Sequence, residues 1–337
     1  MSQNFLRTVQ VELEGKTFTY DGTKPDAIAD GREQGPGLRI RFDTHQRDTS
    51  TPNYVNVYIY NVSQSSESAA LKRGAALKLW AGYGGNLSKI FEGQILQART
   101  NVRENPSDPN TMLAILATDS GIARNFAVVN KTLAAGHTHA DRAQACIDAL
   151  KGMGVGQGYV ATQALSKIKF PRGIALFGMA KDILRQTCGA TQTSFSIQGG
   201  KAQILENGKG LPGGTIELNG KTGLLGLPIQ TIQGVEARVQ LNGRIVVGSL
   251  VSIKSSLIQQ SSFSPQTQFG GGADGLTPEN YYLDSARLAT DGVYKVFVVE
   301  HSGDTRGNIF ETAIICVRNG ALPNPAILSR GVASPTT

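Results

Sequence analysis

The sequence predicts a mainly β protein of the α+β class, with β-rich regions towards both ends and a small α/β region between them. Short segments of alternating apolar and polar residues recur in the first 120 residues and again after residue 215, separated by Gly- and Pro-rich turns. Apolar residues at helical spacing appear after residue 122. Glycine, at 40 of 337 residues, exceeds its usual share of about 7% and indicates many tight turns.

The first β region, residues 1–122, contains several predicted strands. They alternate in polarity or are rich in β-branched and aromatic residues, which favour strands. The segments are residues 38–43, 54–60, 76–80, 90–99 and 111–118. The clusters at 81–86 and 105–110 are predicted turns. Strands at this spacing are typical of a sandwich or a barrel.

The middle region, residues 123–214, predicts a small α/β domain. Residues 138–150 carry a helical apolar stripe. Residues 173–188 predict a second helix, whose buried side includes Ile174 and Phe177 and whose C′ glycine is Gly189. Two further predicted strands, residues 193–197 and 201–205, flank Gly199 and Gly200 as a hairpin turn.

The second β region spans residues 215–320. Predicted strands at 235–241 and 245–254 flank a turn, and those at 293–301 and 309–318 form a hairpin closed by residues 302–308. The polar segment 255–280 is a long loop of the kind that is often functional or disordered. Residues 321–337 predict an extended C-terminal tail.

Charge and cysteine content exclude several classes of protein. The chain has 33 Lys and Arg against 26 Asp and Glu, a net charge of +7. The charges are interpreted as spread along the chain without a like-charge run, so a mildly basic solvated surface is favoured over a nucleic-acid tail. Cys146, Cys188 and Cys316 are odd in number and far apart, which argues against disulfides and structural zinc and predicts a reducing cytoplasm.

Membrane targeting is not predicted. The first residues lack an apolar signal-peptide core, and no run of 18 apolar residues occurs in the chain. We therefore expect no stable membrane insertion.

His137, His139 and Asp141 form the most suggestive constellation, because two His and a carboxylate can ligate zinc. The alternative is a helix cap, in which Thr138 is the N-cap residue and Asp141 occupies N3 ahead of the apolar stripe. The sequence favours the cap over the metal.

Three glycine-containing motifs have weak functional interpretations. Residues 219–222 (NGKT) resemble the end of a phosphate-binding loop, but the upstream glycine is one residue out of place and a helical sequence does not follow. Glycines at 152, 154, 156 and 158 lack the GxGxxG spacing and predict a flexible connection. Residues 303–307 (GDTRG) predict a hairpin loop with a local Asp–Arg pair rather than a binding site.

Enzymatic motifs are absent from the sequence. It contains no GxSxG, no convincing Cys–His pair and no clustered pair of carboxylates. The sequence therefore predicts no enzyme, no cofactor, and no catalytic, cofactor-binding or metal-site residues.

Three stretches together resemble the baseplate central hub family of contractile-tailed bacteriophages. The first comprises YNVS (60–63), AGY (81–83) and IFEGQI (90–95). The second comprises PGGTIEL (212–218), TGLLGLP (222–228), GV (234–235) and LN (241–242), and the third is VEHSGDTRGN (299–308). The resemblance covers roughly residues 35–320, and it departs at Gly243, where proline is expected.

This resemblance implies two tail-tube-like β-barrel domains separated by a small α/β domain. It implies a homotrimer whose six barrels form a ring, joining the six-fold tail tube above to a trimeric spike below and surrounding the DNA ejection channel. DNA would pass without sequence recognition. The tape-measure protein and other baseplate proteins are further expected partners. The expected location is the virion tail baseplate, after synthesis in the host bacterial cytoplasm.

Two alternatives remain open from the sequence. A carbohydrate- or cell-wall-binding β protein of a tail tip requires exposed aromatic platforms, whereas Trp80, the single tryptophan, lies in a strand pattern. A wall hydrolase requires lytic activity, for which no motif is found.

Overall fold

The computed structural model describes residues 6–24, 37–63, 67, 72, 74–84, 86–119, 121–231, 234–260, 288–289 and 291–321. This part of the chain is mainly β, as predicted. The strands are β1 Arg7–Leu13, β2 Lys16–Asp21, β3 Ile40–Arg47, β4 Tyr54–Tyr60, β5 Ala76–Tyr83, β6 Asn86–Val102, β7 Met112–Thr118, β8 Val128–Leu133, β9 Gly156–Val160, β10 Ile174–Met179, β11 Thr193–Gln198, β12 Lys201–Glu206, β13 Ile216–Leu218, β14 Leu224–Thr231, β15 Gly234–Gln240, β16 Leu250–Ile253, β17 Gln259–Gln260, β18 Val293–Asp304 and β19 Phe310–Arg318. The helices are α1 Gly121–Phe126, α2 His139–Lys151, α3 Thr162–Leu165 and α4 Ala180–Ala190.

One 14-stranded sheet contains strands from both β regions. Its order is β17-β14-β15-β19-β18-β3-β4-β7-β6-β5-β1-β2, and β16 pairs both with β18 and with β13. The antiparallel pairing of β3 with β18, which places Phe42 opposite Gly303, joins the two regions. The arrangement as two separate barrels stays a prediction.

Three large hydrophobic clusters lie under the sheet and in the middle region. The first is built on alternating residues of the N-terminal strands, such as Phe42, Val57 and Leu79. The second joins α2 and α4 to β11 and β12, and the third lies under the C-terminal strands around Val251 and Tyr294. The alternation of apolar and polar residues in these strands therefore reflects the burial of one strand face, as expected.

Local predictions from strong patterns are confirmed. Helix α2 covers the predicted stripe, β11 and β12 pair as an antiparallel hairpin, and β18 pairs with β19. The turn predicted at 81–86 is shorter, because β5 continues to Tyr83 and β6 begins at Asn86.

The helix predicted over residues 173–188 is wrong in its first half. Residues 174–179 form β10, which pairs with β8, and the helix begins at Ala180. Leu176 is buried while Phe177 is 79% exposed, so the predicted burial of Phe177 is also wrong. Gly189 lies inside α4 and is not its C′ residue. The backbone hydrogen bonds offered by β8 explain why a strand replaces the predicted helical turns.

Two further predictions need correction. The glycine-rich connection contains β9, which runs parallel to β12 and gains ladder hydrogen bonds there. Residues 245–254 form a strand only from Leu250 to Ile253, and this strand pairs with β18 and not with β15. Gly248, at φ +91°, interrupts the extended backbone between the two parts of that segment.

Two sequence-based predictions fall largely outside the described residues. Of the long loop 255–280 the structure describes residues 255–260, and of the tail 321–337 it describes residue 321.

Candidate functional site

The His137–Asp141 constellation is the start of helix α2. The Thr138 hydroxyl accepts a hydrogen bond from the Asp141 N–H, and the Asp141 carboxylate accepts one from the Thr138 N–H at 2.7 Å. Arg142 donates to His137 Nε2 at 3.1 Å, so Nδ1 carries the proton and donates to the Ala134 carbonyl at 2.8 Å. The predicted cap is confirmed. Across the described ranges, no three His, Cys, Asp or Glu side chains lie together as a metal site.

The NGKT motif is a turn between β13 and β14. The Asn219 side-chain oxygen accepts hydrogen bonds from the N–H groups of Lys221 at 2.8 Å and Thr222 at 3.0 Å. Strand β14 follows, so the helix N-terminus that a phosphate-binding loop needs does not follow here.

The GDTRG loop is tied to the first β region by ion pairing. Asp304 accepts two hydrogen bonds from Arg39, at 2.6 and 3.1 Å. The predicted local pair with Arg306 is wrong, because Arg306 donates its backbone N–H to Asp304 at 2.9 Å while its guanidinium donates to the Gly37 carbonyl. Burial by itself raises the pKa of Asp304, but the hydrogen bonds and charge of Arg39 outweigh it and the pKa lies below its usual value. Arg7 also donates to the Asp304 carbonyl at 2.7 Å. The loop therefore holds two distant parts of the chain together.

A buried ion pair lies where all three regions of the chain meet. Lys295 Nζ, on β18, is 3.0 Å from Asp48 Oδ2, and both side chains are 1% exposed. Ser194, on β11 of the middle region, donates to the same carboxylate at 3.0 Å. Because a buried charge is tolerated only when it is paired and hydrogen-bonded, these contacts fix the three regions against one another.

A second buried polar group strengthens this junction. Asn53 donates to Asp119 at 2.8 Å and to the Ile197 carbonyl of β11 at 2.8 Å. Burial raises the pKa of Asp119 well above its usual value, while Arg124 and the Asn53 hydrogen bonds act in the opposite direction. Sequence reasoning missed both polar groups, because their partners are more than 60 residues away in the chain.

One end of the large sheet exposes apolar side chains. Leu225, Leu227 and Ile229 of β14 are 38%, 61% and 43% exposed, and the pairing of β14 with β15 shifts register between Leu225 and Ile229. We call these three residues the β14 strip. Among the described residues, β17 covers the outer edge of β14 at residues 229 and 230 and leaves residues 224–228 without a strand partner on that side. An unpaired strand edge beside exposed apolar side chains is a typical place for another chain to bind.

Exposed aromatic residues occur in the middle region and not at Trp80. Phe126 is 63% exposed and Phe177 is 79% exposed, whereas Trp80 is half-buried on β5. Residues 174–177 are Ile-Ala-Leu-Phe, so no alternation of polar and apolar residues in the sequence marks Phe177 as exposed.

Comparison with known proteins shows which solved structures have a similar fold. Neither a protein-family model nor a curated protein sequence matches the chain. The 43 kDa tail protein of prophage MuSo2 from Shewanella oneidensis matches with a TM-score of 0.53 and 9% identity, covering 94% of this chain and 99% of that one. This chain has the fold of a phage tail protein. The tail protein from Neisseria meningitidis MC58 also matches, with a TM-score of 0.53, 9% identity and coverage of 94% and 98%.

The resemblance predicted from the three sequence stretches is thus confirmed at the level of fold. Within the described residues, no helix has the length and apolar character needed to span a membrane.

Proposed function

We propose that this protein is the non-enzymatic central hub of a contractile phage-tail baseplate, acting as a homotrimeric ring. The observation that carries the proposal is the likeness in fold to two phage tail proteins over 94% of the chain. The resemblance of residues 60–63, 212–228 and 299–308 to the hub family supports the same function.

The β14 strip supplies a surface for forming the ring. Its free edge can add backbone hydrogen bonds to a strand of the next copy, and its leucines and isoleucine lose contact with water when that strand binds. Since such a contact joins different surfaces of two copies, it generates a closed ring when the rotation between copies is one third of a turn. Each copy would contribute two tail-tube-like barrels, giving six around the axis.

The remaining parts of the function follow from this ring. It would contact the six-fold tail tube on one side and a trimeric spike on the other, with the tape-measure protein and other baseplate proteins as further neighbours. DNA would pass through its channel without sequence recognition. The protein would act in the virion baseplate, after synthesis in the host bacterial cytoplasm.

Light scattering on the purified full-length protein tests the trimer. We expect a mass near three times 35.8 kDa and ring-shaped particles by electron microscopy. Leu227→Asp should convert the protein to monomers, because it places a charge in the contact. Ile168→Asp, at another exposed apolar position, is the matched control and should stay trimeric. A wild-type protein that remains monomeric, alone and when mixed with its spike, would overturn the proposed ring.

A further inference from the structure

The net charge of the chain is concentrated in its middle region. Residues 123–214 contain eleven Lys and Arg against four Asp and Glu, a net of +7 that equals the charge of the whole chain. Residues 1–122 contain thirteen of each sign, and residues 215–337 contain nine of each. The interpretation that charge is spread along the chain is therefore wrong as far as net charge is concerned. Both β regions have no net charge, and the middle region carries all of it.

The few acidic side chains of this region are already engaged. Asp148 lies 4.0 Å from both Lys131 and Lys151. Asp182 pairs with Arg185, Glu206 pairs with Lys209, and the Asp141 carboxylate is held in the helix cap. The positive charge that remains must be balanced by solvent ions or by a partner.

Three cations lie close together in sequence in one loop, residues 167–172, which we call the basic loop. Lys167, Lys169 and Arg172 are exposed, and none of the three has an acidic partner within the described ranges. The backbone of the loop is anchored, because the Phe170 N–H donates to His137 at 2.8 Å and its carbonyl accepts from Gly136 at 2.7 Å.

Arg142 extends this cluster from the first turn of α2. Its guanidinium lies 3.9 Å from the centre of the Phe170 ring, and the same ring stacks on His137. Because Phe170 is held from two sides, the cations of the basic loop are presented on a fixed backbone.

An exposed apolar face continues from the basic loop. The loop leads into β10, which pairs with β8 in a two-stranded sheet. The outer face of this sheet exposes Phe177 and Val128 at 79% and 51%, and Ile168 in the loop is 52% exposed. Phe177 is five residues beyond Arg172, so at about 3.3 Å per strand residue it lies within roughly 17 Å of that cation.

We propose that the basic loop and the outer face of β8 and β10 together form a docking site for an acidic protein segment that also carries apolar side chains. Carboxylates would pair with Lys167, Lys169 and Arg172, and apolar side chains would cover Phe177 and Val128. In the described part of the chain each of β8 and β10 has one strand partner, so an extended segment can also bond to a free edge. This site is separate from the β14 strip and does not depend on the trimer.

A protein segment fits this surface better than DNA does. The phosphate backbone of duplex DNA offers the charge but leaves Phe177 and Val128 exposed to water. The apolar face follows the basic loop along the chain, and cations next to an exposed apolar face have the composition of a protein interface with a polar rim.

The test uses the full-length protein and a fluorescent ten-residue peptide that alternates Asp or Glu with Phe or Leu, measured by anisotropy. We expect saturable binding that weakens as salt rises. The variant Lys167→Glu/Lys169→Glu/Arg172→Glu should weaken binding by about ten-fold or more, and Phe177→Ser by about ten-fold. A neutral peptide, with Gln and Asn in place of Glu and Asp, should bind the wild-type protein weakly. Its affinity should match that of the acidic peptide for the charge-reversed protein.

A matched control separates this site from general charge effects. Lys24→Glu/Arg103→Glu/Lys254→Glu makes the same change in net charge at exposed positions outside the middle region and should leave binding within about two-fold. Equal loss in this control, or no saturable binding by the wild-type protein, overturns the proposal. Tighter binding of a 20-base-pair duplex that displaces the peptide would assign the surface to nucleic acid instead.

Discussion

The junction of the three regions and the outer surface of the middle region differ in where their charged and apolar side chains lie. At the junction, Lys295 and Asp48 are buried but paired. On the surface, Phe177 is exposed and apolar, and the cations of the basic loop have no acidic partner in the described residues. Removing one partner of a buried ion pair lowers the free energy of unfolding strongly, because the other charge stays buried without a partner. Substituting an exposed, unpaired side chain changes the unfolding free energy of a single copy little. We infer that the junction governs the stability of the single chain and that the surfaces govern its assembly.

The largest expected effect is at the buried ion pair. Lys295→Met leaves the Asp48 carboxylate buried without its cation, which should lower the free energy of unfolding by about 3–5 kcal/mol. Chemical denaturation measures this loss. Lys78→Met, which removes a partly exposed pair with Glu12 at 3.4 Å, is the control and should cost less than about 1 kcal/mol. Similar losses in both variants would contradict the comparison.

The next effect is a dependence of stability on pH, caused by a buried histidine of β18. Burial lowers the pKa of His301 to about 4, against about 6.5 in an unfolded chain. Because the unfolded state binds the proton more readily, this stability is present above pH 6.5 and is lost as the pH falls to about 4, by about 3 kcal/mol in total. His301→Asn, which can keep the contact to Thr312 that His301 makes at 2.9 Å, should flatten this part of the curve. An unchanged slope in the variant would rule out His301 as its source.

A smaller effect is expected at the helix cap. Thr138→Ala removes the side-chain acceptor for the Asp141 N–H and should cost about 1 kcal/mol of unfolding free energy. Thr132→Ala, on the exposed face of β8, serves as the matched control and should change stability by less than about half as much. Equal costs at the two positions would argue against the capping box as a source of stability.

The smallest effect on the single chain is expected at the β14 strip. We expect Leu227→Asp to change the unfolding free energy by no more than about 0.5 kcal/mol, because Leu227 is 61% exposed. The measurement is made at a concentration where the protein is monomeric. A loss of several kcal/mol would show that the strip packs within the single chain, and would remove it as a surface for assembly.

Part of the fold follows from local sequence. Residues 54–60 alternate and form β4, and Thr138 with Asp141 sets the start of α2, because both signals act over a few residues. The exception at residues 173–188 shows the limit of such signals. The segment has enough apolar residues for a helix, but β8 offers backbone partners that a local pattern does not reveal.

The sequence by itself determined the mainly β class and the likeness in fold to phage tail proteins. The tertiary structure alone decided that β3 pairs with β18 in one continuous sheet, and that Asp304 pairs with Arg39 and not with Arg306. It also decided that the cations of the basic loop face solvent and that Phe177 is exposed. The physical reason is distance along the chain: these contacts join residues separated by tens to hundreds of positions, so no local periodicity records them.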